Sequence, residues 1–242
     1  MDDRKRFSEE AKRAALELGE DKELQALARD VIVRSDQYHW SYQWTWLGVP
    51  IIQMPPDIVV MQEIIWNAKP QLIIETGVAR GGSLILYASI LELLGEGKVL
   101  GVDIEIRAHN RDTIEKHPLS RRIELIESDA LSLQLHERLK AEVGACERVM
   151  VILDSNHTHE HVLRELDLFA DFVTPGQYLV VADTVVEYIP EQKHRPRPWH
   201  VGNNPETALR EFLTRNKNFV RDEVVNSKLL LSSSPGGYLV RK

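Results

Sequence analysis

From residue 58 onward, short apolar runs alternate with segments whose apolar residues recur at helical spacing. The strands predicted from the apolar runs are 71–75, 98–103, 122–127, 149–154 and 177–183, with two later ones near 219–225 and 237–241. The helices predicted between them are 58–67, 83–94, 109–116, 131–142, 158–171 and 205–216. Strands that alternate with helices are typical of an α/β fold, in which a mostly parallel sheet carries helices on both faces.

The first part of the chain has a different pattern. Residues 8–33 have apolar positions at helical spacing, and Gly19 predicts a break into two helices. Aromatic residues are crowded between 38 and 46, ahead of a proline-containing stretch. We therefore expect a helical and aromatic extension at 1–57 and an α/β domain at 58–242. The aromatic segment would line a pocket or dock the helices on the domain, and large aromatic burial favours docking.

Composition narrows the class of protein. The 242 residues carry a net charge of −7, so there is no basic field for nucleic acid or an anionic membrane. Cys146 is the only cysteine, which excludes an intramolecular disulfide. No apolar run approaches the roughly 20 residues that span a bilayer, and the N-terminus has no apolar signal core. We expect a cytoplasmic protein.

A glycine-rich junction follows the first strand of the predicted domain. Gly77 and Gly81 would allow the backbone to turn and lie close to a ligand, and Ser83 could cap the next helix. Glu75 suits a ligand with an ammonium or sulfonium charge and would repel a pyrophosphate. The spacing Gly-x-x-x-Gly-Gly also differs from that of dinucleotide sites. The junction favours S-adenosylmethionine (SAM), although an ordinary glycine-bearing turn is the alternative.

Acidic residues end or follow several strands, at the sheet edge where open α/β folds bind ligands. Asp103 suits the two hydroxyls of a ribose, because a carboxylate accepts hydrogen bonds from both. Asp129 follows the third strand and could reach the adenine amino group. The alternative is that these acids cap helices.

A second chemical centre lies at Asp154-Ser155-Asn156-His157-Thr158-His159. Histidine is a natural general base for a hydroxyl near neutral pH, so His157 could act as one, with Asp154 beside it. Asp154 and Asp183 could hold a hard divalent cation through oxygen, and such a cation would acidify a bound hydroxyl. The alternative is that His157 and His159 are solvated residues at a helix start.

Residues 184–204 lack clear periodicity and are interpreted as a long loop, a candidate lid. His194, Arg195, Arg197, Trp199 and His200 would then lie over the acceptor. Of these, Arg197 and Trp199 could bind a carboxylate or stack on a sugar ring. A solvated loop is an equal alternative.

With these centres placed, the chain from about Tyr38 onward resembles the cephalosporin hydroxylase / rhamnosyl O-methyltransferase family of SAM-dependent enzymes. The resemblance rests on Asp103 and on WLGVPI (46–51), ETGVARGGS (75–83), LDSNH (153–157), VVADT (180–184) and PGGYL (235–239). It implies a Rossmann-like class I methyltransferase fold with a seven-stranded sheet. It also implies Asp154 and Asp183 as Mg²⁺ ligands and His157 as the base.

One departure from the family pattern concerns the metal. Metal-dependent members pair a Glu with the Asp at the end of the fifth strand, and here that pair is Ala182-Asp183. The loss of one carboxylate would weaken a divalent site or require a substitute such as Glu187 or a water. SAM is therefore the expected cofactor, and the need for Mg²⁺ beside it stays open.

The resulting hypothesis is O-methyl transfer from SAM to a hydroxyl of a sugar or glycosylated natural product, with His157 removing the proton. The partner would be a small-molecule acceptor, and the N-terminal helices and aromatic segment offer a surface for a homo-oligomer. Two alternatives stay open. One is a nicotinamide-dependent oxidoreductase, which the glycine spacing and Glu75 oppose. The other is a non-catalytic SAM-binding accessory subunit, to which Ala182 gives some weight.

Overall fold

The computed structural model describes residues 2–191 and 196–242 and shows an α/β fold. Its helices are α1 (Asp3–Glu20), α2 (Lys22–Asp36), α3 (Pro55–Ala68), α4 (Gly82–Leu94), α5 (Ala108–Glu115), α6 (Leu133–Gly144), α7 (His159–Phe169), α8 (Pro205–Arg215) and α9 (Glu223–Lys228). Its strands are β1 (Trp44–Trp46), β2 (Val49–Ile51), β3 (Leu72–Thr76), β4 (Lys98–Asp103), β5 (Ile123–Glu127), β6 (Val149–Leu153), β7 (Tyr178–Val181), β8 (Phe219–Arg221) and β9 (Tyr238–Arg241). Short 3₁₀ turns form at Trp40–Tyr42, Ser120–Arg122, Ala170–Phe172 and Thr184–Tyr188.

Seven strands form the main sheet in the order β5-β4-β3-β6-β7-β9-β8. The first five of these pair in parallel, whereas β9 pairs antiparallel with β7 and β8. This arrangement confirms the predicted mostly parallel, seven-stranded sheet. The strand order reverses between β3 and β6, and the carboxyl ends of strands at such a reversal are where open α/β sheets bind ligands.

Strand periodicity divides the core between the two faces of the sheet. Leu72 and Ile74 of β3 belong to an apolar cluster with α6, α7 and α8, while Ile73 belongs to another with α3 and α4. All three side chains are fully buried, as expected for a strand covered on both sides. The helices on both faces are thus explained by the continuous apolar runs.

Several predicted boundaries differ from the observed ones, and two of the differences have a clear physical cause. The strand predicted near 219–225 ends at Arg221 because the side chain of Asp222 accepts a hydrogen bond from Val225 N and caps α9. Helix α3 begins at Pro55, three residues before the predicted start, since proline suits the first turn of a helix. The division of the chain at 57/58 stays a prediction, although α3 crosses it.

The N-terminal extension packs on the C-terminal part of the domain. The extension forms two helices as predicted, but the break comes at Asp21, because Gly19 lies within α1. Asp21 Oδ1 caps α2 by accepting a hydrogen bond from Leu24 N at 2.9 Å. Gly19 lies so close to Ser227 of α9 that a Cβ there would overlap its side chain. In the segment predicted as an aromatic loop, β1 and β2 form an antiparallel hairpin against α4.

Among the residues that the structure describes, no helix has the length and apolar character needed to cross a membrane.

Candidate active site

A cavity of about 980 Å³ opens at the carboxyl ends of β6 and β7, beside the turn that follows β3. Ala79 and Tyr87 line it on the β3 side. Asp154, His157 and Asp183 line its centre. The cavity therefore lies at the predicted ligand-binding edge of the sheet.

The structure brings together the three residues predicted for the second chemical centre. Asp154 comes directly after β6, and Asp183 follows β7 in a left-handed conformation with φ of 54°. His157 Nε2 lies 3.2 Å from Asp183 Oδ2. One ligand atom from each of the three residues lies within 4.8 Å of the others. The neighbouring parallel strands explain this, because their ends carry both acids to one edge.

The cluster is electrostatically unfavourable without a cation. Burial raises the pKa of Asp154 well above its ordinary value, and the negative charges of Asp183, Glu75 and Glu165 raise it further. Like charges in a poorly solvated site favour protonation or a bound positive charge. A divalent cation among these acids would relieve the repulsion, as would a protonated His157.

His157 is held from two sides. Its side chain is 15% exposed, with Nε2 facing Asp183 and the ring edge-on to Trp199 at 4.8 Å between centroids. A neutral imidazole that donates Nε2–H to Asp183 keeps Nδ1 as its proton acceptor. The negative charge of Asp183 would then stabilise the imidazolium that forms on proton uptake.

The glycine-rich turn is stabilised by contacts within the protein. Gly77 has φ of 94°, and a Cβ there would overlap the carbonyl of Asp154. At Gly81, with φ of 87°, a Cβ would overlap Ile114. Both glycines are thus required by the fold. Their predicted contact with the cofactor is not tested by this structure.

Asp103 binds the same turn. Its Oδ2 accepts hydrogen bonds from Val78 N at 2.8 Å and Ala79 N at 3.3 Å, and Oδ1 accepts one from Glu105 N at 3.3 Å. The half-buried carboxylate fixes the turn between β3 and α4 to the end of β4. Its role toward a ribose stays a prediction.

Ser83 does not cap α4, which corrects the prediction. Gly81 is the N-cap residue, and Ser83 Oγ instead donates to Glu75 Oε2 at 2.7 Å. Tyr87 donates to Glu75 Oε1 at 3.1 Å. Glu75 is fully buried, whereas Tyr87 lines the cavity. The hydroxyl of Tyr87 therefore links the carboxyl of Glu75 to the cavity wall.

Burial raises the pKa of Glu75 to about 8, although the two hydroxyl donors oppose this rise. Without a ligand, Glu75 is therefore mostly protonated at neutral pH, whereas the sequence suggested a carboxylate facing a cation. A cation nearby would favour the ionised form. Whether Glu75 faces the methionine end of a cofactor is untested.

Asp129 is exposed and accepts a hydrogen bond from Leu131 N at 2.9 Å. It shapes the turn before α6, as in the capping alternative, and it is not among the lining residues of the cavity. Its predicted contact with adenine is not tested.

Glu187, the candidate substitute for the carboxylate missing at Ala182, is hydrogen-bonded to the segment around 202–204. Its Oε2 accepts hydrogen bonds from Gly202 N at 2.9 Å and Asn204 Nδ2 at 2.6 Å. Among the described residues, the candidate metal cluster contains Asp154, His157 and Asp183 and does not include Glu187. These contacts do not support Glu187 as a replacement ligand.

The segment after β7 reaches the cavity as the lid interpretation anticipated. Arg197, Trp199 and His200 line it, and the Arg197 guanidinium carbon lies 5.2 Å from the Trp199 ring centroid. His194 and Arg195 lie outside the described residues. His159 has a structural role, because its ring contacts Thr207 Oγ1 at 2.8 Å and Glu211 Oε2 at 3.2 Å.

The N-terminal extension contributes to the cavity, which was one of the two alternatives for its aromatic segment, whereas the contribution of Ile32 in α2 was not anticipated. Trp40, Tyr42 and Ile32 line the cavity. Trp44 and Trp46 instead pack on the core, and Trp46 Nε1 donates to Ser89 Oγ at 3.0 Å. The aromatic segment therefore both lines a pocket and docks the extension. Aromatic crowding was the available signal, but it did not separate the two groups.

The residues present fit a divalent cation. The carboxylates of Asp154 and Asp183 offer the oxygen ligands that Mg²⁺ prefers. Burial and, secondarily, the neighbouring acids raise the pKa of Asp154, and a bound cation would offset both effects. The imidazole of His157 lies within the same cluster. Two protein carboxylates suffice for Mg²⁺, which keeps several waters in most sites.

Comparisons with known proteins agree with this architecture. The chain is 31% identical over 216 residues to a rhamnosyl O-methyltransferase of Mycobacterium leprae, covering 85% of this chain and 87% of that one. It is 29% identical over 216 residues to the rhamnosyl O-methyltransferase of Mycobacterium tuberculosis, covering 86% and 84% of the two chains.

Two solved structures share the fold. A structure of CmcI with Mg and SAM matches with a TM-score of 0.58 at 20% identity, over 83% of this chain and 77% of that one. A putative caffeoyl-CoA O-methyltransferase from Staphylococcus aureus matches with a TM-score of 0.56 at 13% identity, over 88% and 92%. The fold is thus the Rossmann-like methyltransferase fold.

A family profile for Rhamnosyl O-methyltransferase/CmcI matches residues 38–242, which hold the whole sheet, the glycine-rich turn and the Asp154–His157–Asp183 cluster. The match leaves α1 and α2 outside it. The chain belongs to the Rhamnosyl O-methyltransferase/CmcI family.

Proposed function

We propose that this protein is a SAM-dependent O-methyltransferase that acts on a hydroxyl group of a sugar or of a glycosylated small molecule. The observation that carries the proposal is the Asp154–His157–Asp183 cluster in a large cavity at the reversal of the sheet. The family includes rhamnosyl O-methyltransferases, and CmcI has a structure with Mg and SAM. These relatives support both the reaction and the cofactor.

The turn after β3 would hold the cofactor. Asp103 would accept hydrogen bonds from the ribose, and Asp129 would contact the adenine. Glu75 would balance the positive charge of the methionine end as its carboxyl ionises. Gly77 and Gly81 would shape the turn, while Ser83 would hold Glu75 in place. SAM supplies an electrophilic methyl group when it is bound.

His157 would remove the proton from the acceptor hydroxyl as the methyl group is transferred. Its proton acceptor is Nδ1 when Nε2–H is donated to Asp183, and this contact orients the ring. Trp199 limits rotation of the ring from the other side. These contacts position the base, and positioning is a large part of the catalytic effect in a two-substrate reaction.

Asp154 and Asp183 would hold a divalent cation such as Mg²⁺. When bound, the cation would lower the pKa of a coordinated hydroxyl and so supplement the base. Ala182 leaves one protein ligand fewer than the metal-dependent family pattern, so a water would complete that position.

The acceptor would enter from the side of β7 and the N-terminal extension. Trp40, Tyr42 and Trp199 offer aromatic surface on which the apolar face of a sugar ring can stack. A homo-oligomer through the N-terminal helices and a cytoplasmic location also remain proposals.

The test of the reaction is formation of S-adenosylhomocysteine and a methylated product from SAM and a panel of rhamnosides and other glycosides. His157→Gln should lower turnover with an active acceptor by about 10²- to 10⁴-fold while retaining SAM affinity. His117→Gln is the matched control, because this half-buried histidine lies outside the catalytic cavity and lines a separate pocket. Unchanged turnover in His157→Gln would show that the base is assigned wrongly.

Calorimetric titrations separate the alternatives. Binding of NAD(H) without binding of S-adenosylhomocysteine would contradict the proposal in favour of an oxidoreductase. Cofactor binding with no turnover on any acceptor, but with activation of a partner enzyme, would instead identify an accessory subunit. Full activity after thorough chelation with EDTA would exclude an essential Mg²⁺.

A further inference from the structure

Glu187 lies four residues after Asp183, in the 3₁₀ turn Thr184–Tyr188. Its side chain is 15% exposed, and its Oε2 accepts hydrogen bonds from Gly202 N and Asn204 Nδ2. Its Oε1 lies 3.5 Å from Arg210 Nη1 on α8. The start of this short turn thus places Asp183 beside His157. Near its end, Glu187 binds the segment 196–204.

Asn204 links this carboxylate to the end of the segment. It is fully buried, and its Nδ2 donates to His200 O at 2.9 Å as well as to Glu187. Its Oδ1 accepts hydrogen bonds from Glu206 N and Thr207 N and thereby caps α8. The side-chain amide of Asn204 is therefore hydrogen-bonded to the segment 196–204, to Glu187 in the turn and to the start of α8.

The segment held in this way places Trp199 on the base. Trp199 is edge-on to His157 at 4.8 Å, and Asn203 Oδ1 accepts a hydrogen bond from His159 N at 3.0 Å. A tight bridge between His200 and Asn203 closes the segment on itself. These contacts join the segment to the start of α7, two residues from the proposed base.

We infer that Glu187 is a positioning residue that holds Trp199 against His157, and that it does not ligate the metal. The inference rests on the proposed function for its catalytic consequence, but the contact itself is independent of activity. Hydrogen bonds to a carboxylate are stronger than neutral ones. Their loss would remove the Glu187 partner of Gly202 N and of one N–H of the buried Asn204 amide, whose bond to His200 O would remain. The segment would then lose its fixed position over the cavity.

The pKa of Glu187 is consistent with this role. Burial opposes ionisation, but the hydrogen bonds from Gly202 and Asn204 and the charge of Arg210 outweigh burial and lower the pKa below its ordinary value. Glu187 is therefore ionised at neutral pH and can make charge-assisted hydrogen bonds.

Proton NMR of the His157 imidazole tests the contact directly. A tryptophan ring 4.8 Å away displaces the carbon-bound protons of His157 through its ring current, and His157→Gln identifies those resonances. Glu187→Ala should move them to the positions found in Trp199→Leu. Glu187→Gln keeps one neutral acceptor and should give a smaller displacement in the same direction. It also serves if the alanine variant does not fold.

The matched control is Glu96→Gln. It removes an exposed carboxylate that pairs with Arg148 at 2.8 Å and does not line the cavity. The His157 resonances should not move in this variant. If they also stay in place in both Glu187 variants while Trp199→Leu displaces them, Glu187 does not position Trp199 and the inference is wrong.

Mn²⁺ binding, followed by electron paramagnetic resonance, tests the second half of the inference. Glu187→Ala should retain Mn²⁺ affinity within twofold of the unaltered chain, whereas Asp183→Asn should lose at least tenfold. A tenfold loss in Glu187→Ala would make it a ligand and overturn the inference. Absence of Mn²⁺ binding by the unaltered chain would contradict the metal part of the proposed function, and the NMR experiment would still decide the role of Glu187.

Kinetics give the expected consequence for turnover. Glu187→Ala should lower kcat at least tenfold and raise the acceptor KM, with SAM affinity changed less than twofold. A loss confined to SAM affinity would contradict a role at the acceptor side.

Discussion

The two sides of the cavity are constructed differently. On the β3–β4 side, backbone amides dominate, as Asp103 accepts from the turn at Val78 and Ala79 and Gly77 N donates to Val102 O. On the β6–β7 side, side chains from distant segments meet, as in the contact of His157 with Trp199. A side built on backbone contacts tolerates little change, whereas side-chain contacts can change without altering the fold. We therefore expect the cofactor side to be common to many acceptors and the acceptor side to set specificity.

Replacing the proposed base, His157, should have the largest effect. It also distinguishes most clearly between the acceptor side and the cofactor side of the cavity. His157→Gln should lower kcat by about 10²- to 10⁴-fold, the usual contribution of a general base, while SAM affinity changes less than twofold. Single-turnover kinetics and calorimetry measure the two quantities. A parallel loss of SAM affinity would show that the two sides are not independent.

Gly77→Ala should damage both sides, because a Cβ would overlap the carbonyl of Asp154 and φ is 94°. We expect a loss of roughly 1–3 kcal/mol in the free energy of unfolding from backbone strain alone, with the overlap adding to it. Denaturant unfolding and SAM titration measure the outcome.

Gly48→Ala is the control for Gly77→Ala. Its φ is 87°, but a Cβ there would have no neighbour within 4 Å. It should show the strain without the overlap and leave SAM affinity unchanged. Equal losses in both variants would mean that the contact with Asp154 is unimportant.

Glu75 gives a pH-dependent effect on the cofactor side. Its pKa is raised from 4.5 to about 8, so between these values the folded chain holds a proton that the unfolded chain lacks. This contribution to stability is complete below pH 4.5 and is lost as pH rises through 8. Because of Glu75, the free energy of unfolding of the unaltered chain should fall by up to about 1.4 kcal/mol for each pH unit in this range. Glu75→Gln should remove this part of the fall.

Urea unfolding of both proteins from pH 5 to 9 measures the difference. The Gln variant should gain stability relative to the unaltered chain as pH rises, because an amide does not ionise. Parallel curves would show that Glu75 is already ionised in the folded chain.

The smallest expected effects compare two tryptophans of the aromatic segment. Trp40→Leu should raise the acceptor KM several-fold with little change in SAM affinity, because Trp40 lines the cavity. Trp46→Phe should leave KM unchanged and cost about 1 kcal/mol of stability through the lost hydrogen bond to Ser89. Steady-state kinetics and thermal unfolding measure the two effects. A raised KM in Trp46→Phe together with an unchanged KM in Trp40→Leu would contradict this assignment.

The sequence by itself determined the sheet, the glycine-rich turn and the acids at the strand ends. Buried strands need continuous apolar runs, and parallel strands bring their carboxyl ends to one edge, so Asp154 and Asp183 could be placed together without coordinates. The position of His157 three residues after Asp154 placed it near that acid, but its contact with Asp183 was seen only in the structure. The sheet, the turn and the placement of the acids are properties of local pattern and simple topology.

Tertiary structure alone decided which polar groups pair across the fold. Ser83 was expected to cap α4, but it binds Glu75 because the strand and the helix bring the two side chains together. Glu187 was a candidate metal ligand from its position, but the segment at 202–204 supplies its donors. Similarly, only packing separates Trp40, which lines the cavity, from Trp46, which packs on the core. Such choices depend on contacts between residues far apart in the chain, which periodicity and spacing do not encode.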